Sequence, residues 1–355
     1  MGAKKHNFLF FAVISTVTFY EKRGVSMTEK HIEKAKGHRP NSKEPTSAAL
    51  GILGIFSLLL LFKNPSVALE HTSSALSLCA RTVVPSLFPF MVISELLLSS
   101  DAVSVISRPL RHLSRILFGV GGESAAALIL GFLCGFPIGA KCAASLYARE
   151  KIGGEEMTRI LTFCCMPSAP FLISAVGISM FGDLSLGLRL FIASLLSSLI
   201  IGIIGRFIPI RSLPPAAPTE SKKEEKRSSA AVFTSAVTSS ALSMLYVCAF
   251  VVFFSTLVGV LEYTAAALSL PKSANALLFG FFELTSGIKK TAEIPVYGKY
   301  LAAAISGWSG LSVHFQVISV CRGCNLSFKP YFFAKAASTA LTPIILFFLE
   351  VVGIF

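Results

Sequence analysis

GFLCGFPIGAKC (residues 131–142) and FCCMPSAPFLISAVG (163–177) decide the fold. Both stretches are apolar enough for a bilayer, and each is interrupted near its middle by glycine or proline. Pro137 lacks an amide hydrogen, and Gly135 and Gly139 carry no Cβ, so the helix is expected to unwind around Phe136. Pro167 and Pro170 are expected to do the same on either side of Ser168. At membrane depth, broken backbone persists only where it is buried in protein or lines a wet cavity. Two such stretches in succession predict a binding site or pathway within the membrane.

The composition sets the same scene. Of 355 residues, 53% are hydrophobic and only 14% charged, and the mean hydropathy is +0.71. A soluble domain carries roughly a quarter charged residues, so the expectation is a polytopic membrane protein in contact with the lipid bilayer. The net charge of +13 does not point to nucleic acid, because the basic residues cluster in short loops beside apolar spans, as the positive-inside rule describes. Most of the eight cysteines lie in apolar stretches, where they serve as small packing residues rather than a disulfide framework.

Read in order, residues 1–47 form a basic, polar leader, expected to be cytoplasmic and without a packed core. Its apolar run from Phe8 to Tyr20 is too short to span a membrane, and Met27 offers a second start. A first membrane half covers 48–210: a span at 48–62, an amphipathic stretch at 66–80, and a span at 82–100 bearing Pro85, Pro89 and Glu95. A basic segment follows at 101–123, with Arg108, Arg111, His112 and Arg115 at helical spacing, expected to lie on the membrane surface. Then come the two broken stretches and a span from Leu184 to Ile208. A Pro-, Ser- and Lys-rich linker, 211–229, is expected to be cytoplasmic. The second half, 230–355, holds a span to about Leu261, a broken stretch GFFELTSGIKK (280–290), another apolar run at 300–319, and a last span from Tyr331.

The halves repeat one order: span, broken segment, charged loop, broken segment, span. ALSLCARTVVPSLFPFMVISELL (75–97) lies over ALSMLYVCAFVVFFSTLVGVLEY (241–263), Gly131 over Gly280, and Lys141 over Lys290. With the basic loops on the cytoplasmic side, the first half enters from outside and the second from inside. The expected fold is all-α, two inverted repeats with broken or re-entrant helices and about 7–9 membrane helices. It leaves Lys289, Lys290 and Lys299 facing outward.

Each candidate residue has a functional and a plainer reading. Gly135, Phe136, Pro137 and Gly139, with Pro167, Ser168 and Pro170, shape a cavity; alternatively the small residues mark a tight helix crossing. Lys141 and Lys290 offer cations to an anionic substrate, or snorkel to the interface. Glu283, with Ser286 beside it, and Glu95 place carboxylates at membrane depth, suited to proton or cation coupling unless they lie near the interface. Gly310, His314 and Gln316 offer hydrogen-bonding partners to a solute, or act as glue between helices. Cys321 and Cys324 have the C-x-x-C spacing, but the only other close pair, Cys164 and Cys165, is adjacent, so no metal site is expected. No nucleotide-binding P-loop, G-x-S-x-G elbow or H-E-x-x-H pair occurs, so neither enzymatic activity nor a cofactor is expected.

GFPIGAKC, MPSAPFLISAVG and the run Gly-Leu-Ser-Val-His-Phe-Gln (310–316) resemble the sporulation integral membrane proteins of the YlbJ type. The resemblance covers about residues 48–350. It implies the Gate, or nucleoside-recognition, domain also seen in concentrative nucleoside transporters and ferrous-iron transport proteins. It further implies an endospore-forming Firmicute and a multi-pass protein of the mother cell or the outer forespore membrane. Its role would lie in building the spore cortex or envelope. The expected function is that of a secondary-transporter-like protein moving or sensing a small polar solute, nucleoside-like compounds included. The alternative is a non-transporting scaffold that recruits other sporulation membrane proteins.

Overall fold

A computed structural model describes residues 45–98, 105, 108–209, 229–264 and 270–353. The leader up to residue 44 and the linker from 211 to 228 lie outside the described residues. The chain divides into two units, Met1–Leu59 and Leu60–Phe355. The first contributes the start of helix α1 (Pro45–Lys63), whose Ile52, Ile55, Phe56, Leu58 and Leu59 are exposed, as suits a helix in lipid. All that follows belongs to the second unit. Every described element in it is helical.

Pro65 begins α2 (Pro65–Leu78), with Asn64 at the cap position. The expected separation of 66–80 from 82–100 does not occur. Instead α2 continues through a π-helical turn, Cys79–Val83, into α3 (Val84–Leu98), giving one span from Pro65 to Leu97. The wide turn accommodates Pro85: the Val84 amide reaches back to the Cys79 carbonyl, which relieves the clash a proline makes with the carbonyl four residues earlier.

Helix α4 (Leu110–Phe118) meets the following helical stretch, Gly122–Cys134, at 109°. Next come α5 (Ala125–Cys134) and α6 (Phe136–Ala148), broken at Gly135. After them α7 (Gly154–Cys164) and the π-helical α8 (Phe171–Phe181) are broken across 165–170. Helix α9 (Leu184–Gly205) closes the first half. The second half opens with α10 (Ser229–Thr264). Helices α11 (Lys272–Phe282) and α12 (Leu284–Thr291) are broken at Glu283; α13 (Gly298–Trp308) and α14 (Leu311–Val320) at Ser309–Gly310. Helix α15 (Lys329–Val351) ends it.

Five helical stretches among the described residues are long and apolar enough to cross a membrane, or six if the bent pair counts as one. The pieces around the other breaks are 8 to 13 residues long, and a crossing needs about 20.

Two pairs fold back as hairpins on glycine. A Cβ on Gly139 would lie 2.8 Å from the Gly131 Cα, and one on Gly287 would collide with Gly280. Helix α10 runs antiparallel to α2–α3: Thr72 pairs with Thr256 through their hydroxyls at 2.9 Å, while Glu95 accepts from Ser239 at 3.2 Å. The ends of the bundle carry polar clusters. At the Glu95 end, Glu156 accepts from the Gly121 amide and the Ser124 hydroxyl, and Arg159 donates to the carbonyls of Gly205 and Ile208. At the opposite end, Glu350 accepts from Tyr300 and pairs with Lys299 at 2.7 Å and Arg189 at 3.4 Å.

Candidate functional site

All four breaks meet at one cavity of about 60 Å³. Gly135 and Phe136 come from the α5–α6 break, Ser168 and Phe171 from α7–α8, Glu283 to Thr285 from α11–α12, and Ser312, Val313 and Gln316 from just beyond α13–α14. Val83, Leu87, Phe90 and Met91 of the span from Pro65 to Leu97, Cys134 at the end of α5, and Val247 and Val251 of α10 complete it. The breaks also touch one another in matching pairs. A Cβ on Gly135 would stand 2.8 Å from the Ser168 amide nitrogen, and one on Gly310 would stand 2.9 Å from that of Leu284.

Local conformation makes these breaks. Gly135 has φ 83°, ψ −166° and Gly310 has φ 82°, ψ 150°, a region essentially reserved for glycine. Pro137 then sits in the first turn of α6, where its missing amide hydrogen removes no helical bond. Glu283 is extended, and its carboxylate accepts from the amides of Thr285 at 2.9 Å and Ser286 at 2.6 Å, so it caps α12. Ser168 accepts from the Phe171 amide at 3.3 Å. Gly135 and Gly310 supply no side-chain cap.

The consequence is electrostatic. Helices α6, α8, α12 and α14 all begin at the cavity, so four amide-bearing, partially positive ends converge there. One of them, α12, already holds the Glu283 carboxylate. Ser312, fully buried, has a hydroxyl without a hydrogen-bond partner. The site therefore offers donors to a small acceptor-bearing group, within walls that are otherwise apolar.

Of the residues singled out from sequence, Gly135, Phe136, Ser168, Glu283 and Gln316 line this cavity, and Gly310 shapes it from behind. Gly139 packs against Gly131 instead. Pro167 is buried in the extended link between α7 and α8. Pro170 lines a separate, apolar recess of about 280 Å³ between α3 and α5. The hydroxyl of Ser286 bonds to that of Ser255 at 2.5 Å. His314 faces α15, where its Nδ1 meets the Tyr331 hydroxyl at 2.9 Å and its ring packs edge-on to Trp308. Lys141 donates to Glu95 at 2.9 Å and to Ser239 at 2.6 Å. Lys290 pairs with Glu262 at 3.2 Å.

Lys335 was not singled out. It is buried on α15, donates to the Cys165 carbonyl where α7 ends, and lies 5.4 Å from the centre of the Phe136 ring. It thus braces two walls of the cavity from outside. A lone lysine inside an apolar span was the available signal. The described cysteines are free thiols, and no group of His, Cys, Asp or Glu among the described residues is arranged to hold a metal.

A bundle of spanning and broken apolar helices closed around a buried cavity defines a multi-pass integral membrane protein. The chain is 30% identical over 314 residues to the sporulation integral membrane protein YlbJ of Bacillus subtilis (strain 168), an alignment covering 79% of this chain and 77% of that protein. It belongs to that family of sporulation integral membrane proteins. No protein-family model matches the chain, and no solved structure matches it.

Proposed function

We propose that this chain is a secondary-transporter-like carrier of a small polar solute bearing a carboxylate or comparable acceptor group, acting in formation of the spore cortex or envelope. The observation that carries this reading is the convergence of four helix starts on one buried cavity, with the unpartnered Ser312 hydroxyl among them. Discontinuous helices whose amide ends face a midplane site are a recurrent way of holding a solute within a bilayer. At about 60 Å³ the cavity is far below the roughly 300–1,000 Å³ of ligand pockets, so the reading assigns this structure to a closed state that must widen to load. The antiparallel run of α2–α3 against α10 supports an inverted-repeat carrier working by alternating access. A carrier of this kind makes no covalent bond, and no enzymatic step is proposed.

Ser312→Ala tests the reading against a scaffold role. Removing a buried hydroxyl that has no partner relieves a desolvation penalty of about 1–3 kcal/mol, so the variant is expected to be at least as abundant and heat-stable in the membrane. A carrier loses a solute contact, and heat-resistant spore yield falls. An abundant variant with full spore yield would favour the scaffold. A thermal-shift series on the purified chain with dicarboxylates, amino acids and nucleosides then identifies the solute class, stabilisation by carboxylates being expected.

A further inference from the structure

The two ion pairs, Lys141–Glu95 and Lys290–Glu262, occupy corresponding places at opposite ends of the bundle. Lys141 lies on α6, the returning arm of the first hairpin, and donates to both Glu95 oxygens at 2.9 and 3.0 Å and to Ser239 of α10. Lys290 lies on α12, the returning arm of the second hairpin, and donates to both oxygens of Glu262 on α10 at 3.3 and 3.2 Å. Asn275 of α11 also donates to Glu262, and the Lys290 ammonium stands 4.2 Å from the centre of the Phe279 ring. Each pair therefore fastens a hairpin arm that begins at the cavity to a long span.

Their spacing is informative. Ser239 and Glu262 stand on one helix, about 35 Å apart by helical rise, slightly more than the roughly 30 Å hydrocarbon core. Val247 and Val251, which line the central cavity, lie midway between them. On the Glu95 side a second cavity of about 50 Å³, lined by Glu95, Lys141, Ser240 and Ser243, reaches inward to Met91, Val247 and Gln316. Those three side chains also line the central cavity and form the partition between the two spaces. Side-chain exposure is 37% and 18% for Lys141 and Glu95, and 29% and 28% for Lys290 and Glu262. Pairs so placed are neither fully screened, which would leave them weak, nor fully desolvated, which would make breaking them prohibitive. They suit contacts that open and reclose.

We propose that Lys141–Glu95 and Lys290–Glu262 are the two gates of the pathway, each closing the central cavity from one face of the membrane. The proposal rests on the carrier reading. Opening the first frees α6 from α3 and α10; opening the second frees α12 from α10. The two pairs share α10 but no residue, and Ser239 and Glu262 lie near its opposite ends, so the two faces can open in turn while α10 stays in place.

The test places a reporter thiol in the cavity, Ser312→Cys, and measures its reaction with a membrane-impermeant maleimide in right-side-out and inside-out vesicles. The parent chain, with its native cysteines, is measured in parallel. Adding Lys141→Met is expected to raise labelling from the Glu95 face by about tenfold, and adding Lys290→Met by about tenfold from the opposite face, the shift produced when a gate loses one factor of ten in its closing equilibrium. Exchanging the partners in the reporter chain, Glu95→Lys with Lys141→Glu, should return labelling to the level of Ser312→Cys alone, and it keeps the test decisive if Lys141→Met is poorly produced. A rise from the same face in both variants, no rise in either at full abundance, or an exchange variant that is abundant yet open would each overturn the gates. Labelling that occurs but ignores the lysines overturns the gates alone. No labelling from either face in any variant overturns the carrier reading with them.

Discussion

At the scale of the residue, Gly310 and Glu283 show how the helices are kept broken at the site against the tendency of apolar chain to form continuous helix. Gly310 combines φ 82° with a close approach to Leu284, so a methyl group there meets both backbone strain and a backbone atom. Gly205, at the end of α9, has nothing within 4 Å of its prospective Cβ. Gly310→Ala should therefore destabilise the purified protein by about 1–3 kcal/mol and lower heat-resistant spore yield. Gly205→Ala should leave both intact, because alanine gains up to about 1 kcal/mol of helix preference over glycine. Melting temperatures in one detergent, with spore yields from the same strains, check the pair; equal behaviour of the two variants would remove Gly310 from the account. Glu283 was legible as a buried carboxylate in an apolar stretch. Its capping of α12 was not, because that depends on where the helix restarts, and a glutamate within GFFELTSG gives no such register.

At the scale of the element, the breaks divide glycine from proline more sharply than the sequence suggests. GFPIG reads as one unwound patch around Pro137. In the structure Gly135 makes the break, Pro137 opens the next helix, and Gly139 is a crossing point against Gly131. Within one motif, Gly135 thus lines the cavity and Gly139, four residues on, makes a tight crossing. Pro137→Ala should consequently leave abundance and spore yield near normal, since proline in a first helical turn withholds no bond. Gly139→Ala should lower abundance first, because its added methyl group meets the Gly131 Cα at 2.8 Å and the Cys164 carbonyl oxygen at 3.2 Å. Quantitative immunoblots of membranes decide the order, and a Pro137→Ala protein that is abundant but inactive would return the break to the proline. The spans from Leu184, from Ser229 and from Lys329 were readable from apolar length, whereas the expected span at 48–62 is not among the five or six stretches long and apolar enough to cross. The continuity of α2 into α3 was not readable, because prolines suggest a boundary, and only the π-helical turn shows how one helix passes them.

For the whole molecule, the two ends of the bundle differ in charge, and this bears on orientation. Arg115, Arg206 and Arg322 belong to the loops and helix ends on the Glu95 side, where Arg111 and Lys151 share the Glu123 carboxylate, and this is the side that the positive-inside rule places in the cytoplasm. Of the three lysines that face outward under that assignment, Lys289, Lys290 and Lys299, the last two are paired with Glu262 and Glu350, and a lysine paired at a span end adds little net charge to its loop. This could not be seen from sequence, since Lys290 and Glu262 are on different helices and Lys299 and Glu350 lie half a domain apart. Gly182, between α8 and α9, and Gly323, between α14 and α15, are the turns that a two-fold repeat of this chain would make equivalent, and both are open to added atoms. In an inverted repeat such equivalent turns face opposite sides of the membrane; in a parallel repeat they face the same side. Epitope tags inserted after Gly182 and after Gly323 should therefore be reached from opposite faces, the Gly323 tag only after permeabilisation and the Gly182 tag without it. Tags accessible from one common face would refute the inverted arrangement. They would also place the two ion pairs on one side of the membrane, where they could not serve as alternating gates.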